Sequence, residues 1–140
     1  MRQEFWIETI PQGQRRPRFA RIGQGVRTYD DSKSVRYKDD IRQQILSKPH
    51  SLMTGPVSMI LEFRMVRPKA HYGKYELKPN RPFYCTTKPD LDNLVKAVQD
   101  AMKGVILLDD NIVCELKANK TYAECPGINI VVADAEGVTG

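Results

Sequence analysis

Val57, Met59, Leu61, Phe63 and Met65 are apolar at alternate positions. A period of two predicts a strand, entered after Gly55-Pro56 and stopped by Pro68. A different period governs Leu91, Leu94, Val95, Val98, Ala101 and Met102, which share one face of a helix over Leu91–Lys103. Asp90 is placed to cap that helix and Gly104 to end it. A second helix is predicted from Asp31, with N-cap oxygens on Asp30, Asp31 and Ser32. Val35, Ile41, Ile45 and Leu46 recur along it, and Pro49 lies beyond its end. Gln3–Ile10 alternates as a strand with Phe5, Ile7 and Thr9 on one side, ended by Pro11 and Gly13. Ile112–Lys120 and Ile128–Ala133 read as two closing strands around Pro126-Gly127.

Two stretches carry neither period. The segment after Pro11 is rich in arginine, holds Pro17, Gly23 and Gly25, and reads as a loop. Lys69–Lys88 reads as a long polar loop with Pro79, Pro82, Tyr72, Tyr75, Phe83 and Tyr84. Loops of that length are uncommon inside a compact domain, which marks this one as functional or mobile. Its aromatic rings either stack on unpaired bases or fold the loop onto the body.

The element order β-α-β-α-β-β predicts an α+β fold: one mixed β-sheet of about four strands with two main helices packed on it. The chain has 140 residues, 41% of them hydrophobic, enough for one core but not two. The expected organisation is a single domain over 1–133 and a flexible polar tail over 134–140. No apolar run reaches the ~20 residues of a spanning helix. The start, Met-Arg-Gln-Glu-Phe-Trp, lacks the apolar core of a signal peptide. The expected location is cytoplasmic, with no membrane partner.

Charge adds a partner to this picture. The net charge is +5, but Arg15, Arg16, Arg18, Arg21 and Arg27 occur in one acid-free stretch. Arg67, Lys69, Lys74, Lys78, Arg81 and Lys88 form another, with Glu76 the one acid among them. Each stretch is +5 and the remainder is −5. A slightly acidic body with two basic loops suggests a polyanion, although basic loops are equally often solvated surface. Cys85, Cys114 and Cys125 show no C-x-x-C spacing and read as reduced structural thiols. With His50 and His71 standing alone, any metal must be held by oxygen ligands.

Lys88-Pro89-Asp90-Leu91-Asp92-Asn93 places two aspartates where extended chain becomes helix. Positions two apart on a regular helix do not share a face, but at this junction they can converge. The helix N-terminus favours their ionised forms. Lys96 follows Asp92 by four residues on the same face. A second pair, Asp109-Asp110, follows the helix. If Val105–Leu108 folds back beside the helix, three or four carboxylates meet, and a divalent cation relieves their repulsion. Magnesium or manganese suits such ligands. Separately, each piece reads as a cap, a surface ion pair and a turn; together, in a chain with two basic loops, they favour a metal site.

These residues resemble the RusA family of crossover-junction endodeoxyribonucleases, the Holliday junction resolvases. The resemblance lies in Asp90, Asp92, Asn93 and Lys96, in the spaced Asp109-Asp110, and in Lys117 and Lys120. Gly13, Arg16-Pro17-Arg18 and Thr28-Tyr29 extend it more loosely. It implies a magnesium-dependent homodimer, manganese being able to substitute, that cuts four-way DNA junctions in recombination and repair. It fits a prophage origin. By motif position, Asp90, Asp92 and Asp110 are the expected catalytic, metal-holding aspartates, with Asp109 a further candidate ligand and Lys96 a catalytic helper. Arg15, Arg16, Arg18, Arg21, Arg27 and Lys88 are the expected DNA contacts. Two rivals share the residues: a nuclease for flap or branched replication DNA, and a non-catalytic DNA-binding protein.

Overall fold

The computed structural model describes residues 1–15, 18–23, 25–29 and 31–136. Strands β1 (Arg2–Ile7), β4 (Val57–Val66), β5 (Val113–Ala123) and β6 (Gly127–Asp134) form one sheet in the order β1-β6-β4-β5. Strand β4 pairs antiparallel with β6 and parallel with β5, so the sheet is mixed. Helices α1 (Ser32–Leu46) and α2 (Leu91–Met102) pack against each other, α1 reaching β1 and α2 reaching β5. This is the predicted α+β sheet with two helices.

The alternation along β4 is obeyed in full: Val57, Met59, Leu61, Phe63 and Met65 are buried. On α2 the buried face is Leu94, Val95, Ala97, Val98, Ala101 and Met102. Full burial of one such aliphatic side chain contributes ~1.5–3 kcal/mol. Helix α2 is also tied at its C-terminal end. Lys38 of α1, almost wholly buried, sets its Nζ 2.7 Å from Asp100 Oδ2. Arg42 donates to the carbonyls of Ala101 and Asp100 at 2.9 and 3.2 Å, where a helix end leaves acceptors unused.

Two expectations are corrected. The arginine-rich segment is not a loop: β2 (Arg18–Ile22) and β3 (Gly25–Tyr29) pair as an antiparallel hairpin separate from the main sheet. Its turn includes Gly23 at φ +60°, a conformation glycine adopts without strain. On α1, Asp31 caps as expected, its side chain accepting from Ser34 N at 2.7 Å; the Asp30 alternative lies outside the described residues. Val35 and Leu46, however, are exposed, and Ser34, Tyr37 and Lys38 join Ile41 and Ile45 on the buried face. Burial follows the geometry of the stripe, and Lys38 can occupy it because its ammonium is paired with Asp100.

The Lys69–Lys88 segment is a folded strap. His71 O accepts from Lys78 N at 2.9 Å, and Tyr72 bridges Leu77. Arg67 lies 4.9 Å from the centre of the Tyr122 ring and donates to Pro82 O at 2.8 Å. Farther along, Tyr122 N donates to Phe83 O at 2.9 Å and Cys85 N to Lys120 O at 3.1 Å.

Candidate functional site

Asp90 is the N-cap residue of α2 by backbone, with φ −66° and ψ 148°, and its carbonyl accepts from Leu94 N at 3.1 Å. Its carboxylate makes no capping bond. A side chain that only capped the helix would use that oxygen on a backbone N–H. Asp90, Asp92 and Lys96 are all exposed. Among the described residues Asp92 and Lys96 form no ion pair within 4.0 Å, so the surface-pair reading is not what the structure shows.

The two aspartates open onto different recesses. Asp90 lines a cleft of about 440 Å³ with Gly13, Gln14, Lys88, Pro89 and Asn93. Gln14 N donates to Asn93 O at 2.9 Å, which brings the segment before the hairpin onto α2. The approach needs glycine: a Cβ at Gly13 would stand 2.9 Å from Pro89 Cβ. Gln14 Oε1 is buried here and has no hydrogen-bond partner among the described residues. Asp92 and Lys96 line a second recess of about 590 Å³ with Leu91, Val95, Leu116 and Ala118.

The second acidic pair lies elsewhere. Val105, Ile106 and Leu107 all direct their amides at Met102 O, at 3.0, 3.0 and 3.2 Å. Leu107 is then held by Met53 through a bridge, and Leu108 N donates to Met53 O at 3.0 Å. The chain closes tightly at the C-terminal end of α2 instead of returning along it. Asp109 Oδ1 accepts from Asp110 N at 2.8 Å and sits 3.3 Å from Lys103 Nζ. Those bonds, Asp110's first and Lys103's after it, hold the Asp109 carboxyl below its ordinary range. Helix α2 has 12 residues, or ~18 Å at 1.5 Å each, so Asp109-Asp110 and Asp90-Asp92 stand at opposite ends of it. Among the described residues no group of three or more His, Cys, Asp and Glu is arranged to hold a metal ion. One chain alone does not fit a magnesium site.

The expected DNA contacts divide. Arg21 and Lys88 are exposed. Arg15 pairs with Asp31 at 3.1 Å, which ties the hairpin's base to the cap of α1. Arg16 lies outside the described residues, as do the side chains of Arg18 and Arg27. Sequence reasoning did not single out Gln14, which no local signal marks. Lys120 entered only as a motif position; its Nζ donates to the carbonyls of Thr87 and, at 2.7 Å, Pro89, fixing the segment that delivers Asp90.

The family model of endodeoxyribonuclease RusA matches residues 8–133. The chain belongs to the RusA family. It is also 33% identical over 138 residues to the uncharacterized protein YqaN of Bacillus subtilis (strain 168), spanning 94% of this chain and 95% of that protein. RusA membership makes the Asp90 cleft the candidate centre of an endodeoxyribonuclease. No helix of the described residues is long and apolar enough to cross a membrane.

Proposed function

We propose that this RusA-family protein resolves four-way DNA junctions by paired phosphodiester hydrolysis, as a homodimer that uses magnesium, with manganese able to substitute, in recombination and repair. The observation that carries the reading is the uncommitted Asp90 carboxylate, beside Lys88 in an open cleft at the start of α2. Asp92 and Lys96, exposed on the first turns of α2, line the neighbouring recess. Lys96 supplies positive charge for a phosphate there, and Lys88 does so on the cleft side.

The homodimer gains support from β5. This is an edge strand whose outer side meets the strap at residues 120–122, leaving 113–119 open. The open stretch is symmetric about Leu116, which is exposed. A second copy pairing antiparallel along it would set the two α2 helices side by side and head to tail. Asp110 of each chain would then meet Asp90 and Asp92 of the other. The carboxylate set that one chain separates is complete in that dimer, with Asp109 committed to Lys103.

The test is incubation of purified protein with labelled four-way, flap and linear DNA, with and without magnesium. Paired cuts restricted to the four-way junction and dependent on the ion are expected. Equal cutting of flaps would replace the junction reading with a broader branched-DNA nuclease. Binding without any cutting would leave a non-catalytic DNA-binding protein.

A further inference from the structure

Phe83 and Tyr84 are 59% and 62% exposed, yet their backbone is among the best anchored in the strap. Phe83 O accepts from Tyr122 N, and Cys85, the next residue, is buried and bonded to Lys120 O. On the other side, Pro82 O is held by Arg67. The anchoring excludes the ordinary role of loop aromatics, which is to fold the loop onto the body. These two rings are held outward. They touch each other edge to face, with centroids 5.1 Å apart.

Their surroundings select a partner. Arg81 and Lys88 flank the pair and are exposed. An aromatic pair that is apolar on its faces and bordered by cations suits a ligand with flat faces and a polyanionic backbone. Tyr84 precedes Asp90 by six residues, so at most ~20 Å separates them along the chain. Lys120 bonds both Thr87 and Pro89 between them.

We infer that Phe83 and Tyr84 form a stacking platform for unpaired nucleobases, positioned to receive a base released at a DNA branch point while the adjoining strand enters the Asp90 cleft. The inference deepens the nuclease reading and rests on it for the identity of the DNA. It adds a means of recognising the branch: every base offers a π face, but only an unpaired base offers it to a protein ring. The platform therefore reads strand opening and not sequence.

The probe is a short oligo(dT) strand, compared with linear duplex at fixed salt and without magnesium, so the result does not depend on cleavage. Wild type is expected to bind the single strand. The double variant Phe83→Ala/Tyr84→Ala should bind it at least about tenfold more weakly, with duplex affinity unchanged. Phe83→Leu/Tyr84→Leu keeps apolar bulk without a π face, and should fail like the alanine pair. Thermal melting of each variant separates loss of the platform from loss of the fold. A four-way junction with 2-aminopurine at its branch point gives a second readout: the fluorescence change on wild-type binding should disappear with the alanine pair. Unchanged oligo(dT) affinity in a folded alanine variant, or full affinity in the leucine variant, would overturn the platform. Absence of junction cleavage by wild type would overturn the nuclease reading and leave the oligo(dT) result standing.

Discussion

Lys103 Nζ lies 3.3 Å from Asp109 Oδ1, at the end of α2 remote from Asp90. The contact marks where the turn on the Met102 carbonyl leaves the second acidic pair. Within one chain the described turn keeps that pair at the far end of α2 from the first, and in the antiparallel dimer proposed above it would meet the first pair of the other chain.

The complementation of two inactive variants follows. Asp90→Asn and Asp110→Asn should each abolish cleavage while leaving the fold and junction binding intact, because removing an anion does not weaken affinity for a polyanion. Mixed and allowed to exchange, they should regain cutting, since a mixed dimer keeps one site with Asp90 from one chain and Asp110 from the other. Cleavage assays on the separate and mixed proteins decide this. A dead mixture, with subunit exchange shown independently, would place the whole site in one chain.

Lys96 gives a test of chemistry apart from binding. It has no ion pair among the described residues, so Lys96→Ala should melt within about 0.5 kcal/mol of wild type. Under single-turnover conditions with saturating enzyme it should cut at least about a hundredfold more slowly. Lys96→Arg, which keeps charge but changes shape and reach, should be impaired less. A wild-type rate for the alanine variant would remove Lys96 from the site.

Arg15 and Arg21 should separate structure from DNA contact. Arg15 is half exposed and pairs with the capping Asp31, so Arg15→Ala should cost up to about 1 kcal/mol of stability. Arg21→Ala should leave stability alone. If Arg21 meets a phosphate, its loss lowers the log–log salt slope of duplex binding by ~0.9. Titrations at several salt concentrations, beside thermal melts, give both quantities.

Asp109 should be visible in the acid limb of stability. Its folded pKa is lowered from 3.8 by hydrogen bonds from Asp110 and Lys103. Its contribution is therefore present above about pH 3.8 and lost as pH falls through the lower folded value. Asp109→Asn should melt below wild type at pH 5–7, and the gap should close progressively below the unfolded value. A gap independent of pH would assign the loss to the turn's geometry instead of its charge.

Helix α2 and strand β4 were legible because each buries one continuous apolar face, which leaves its period in the sequence. The hairpin was not: arginines, glycines and a proline dominate that stretch of sequence, and among the described residues its two strands pair only with each other. On α1 the buried stripe includes Ser34 and Lys38, residues that an apolar count passes over. The place of Asp90 at the start of α2 was legible from the strand-to-helix junction, but its convergence with Asp92 is not seen, since the two line different recesses. The place of Asp109-Asp110 was not, because it depends on three amides sharing the Met102 carbonyl. No spacing encodes that turn's direction.

Lys120 has a metric consequence. By bonding the carbonyls of both Thr87 and Pro89, it restrains the short segment between the outward rings and Asp90. If the rings hold a branch-point base and the Asp90 cleft cuts, as proposed, that restrained segment would act as a ruler along the strand with the branch point at zero. Product ends from wild type should therefore fall at one fixed nucleotide offset from the branch. In Lys120→Ala that restraint is lost, and sequencing-gel analysis should show slower cutting, with the product ends spread over neighbouring positions.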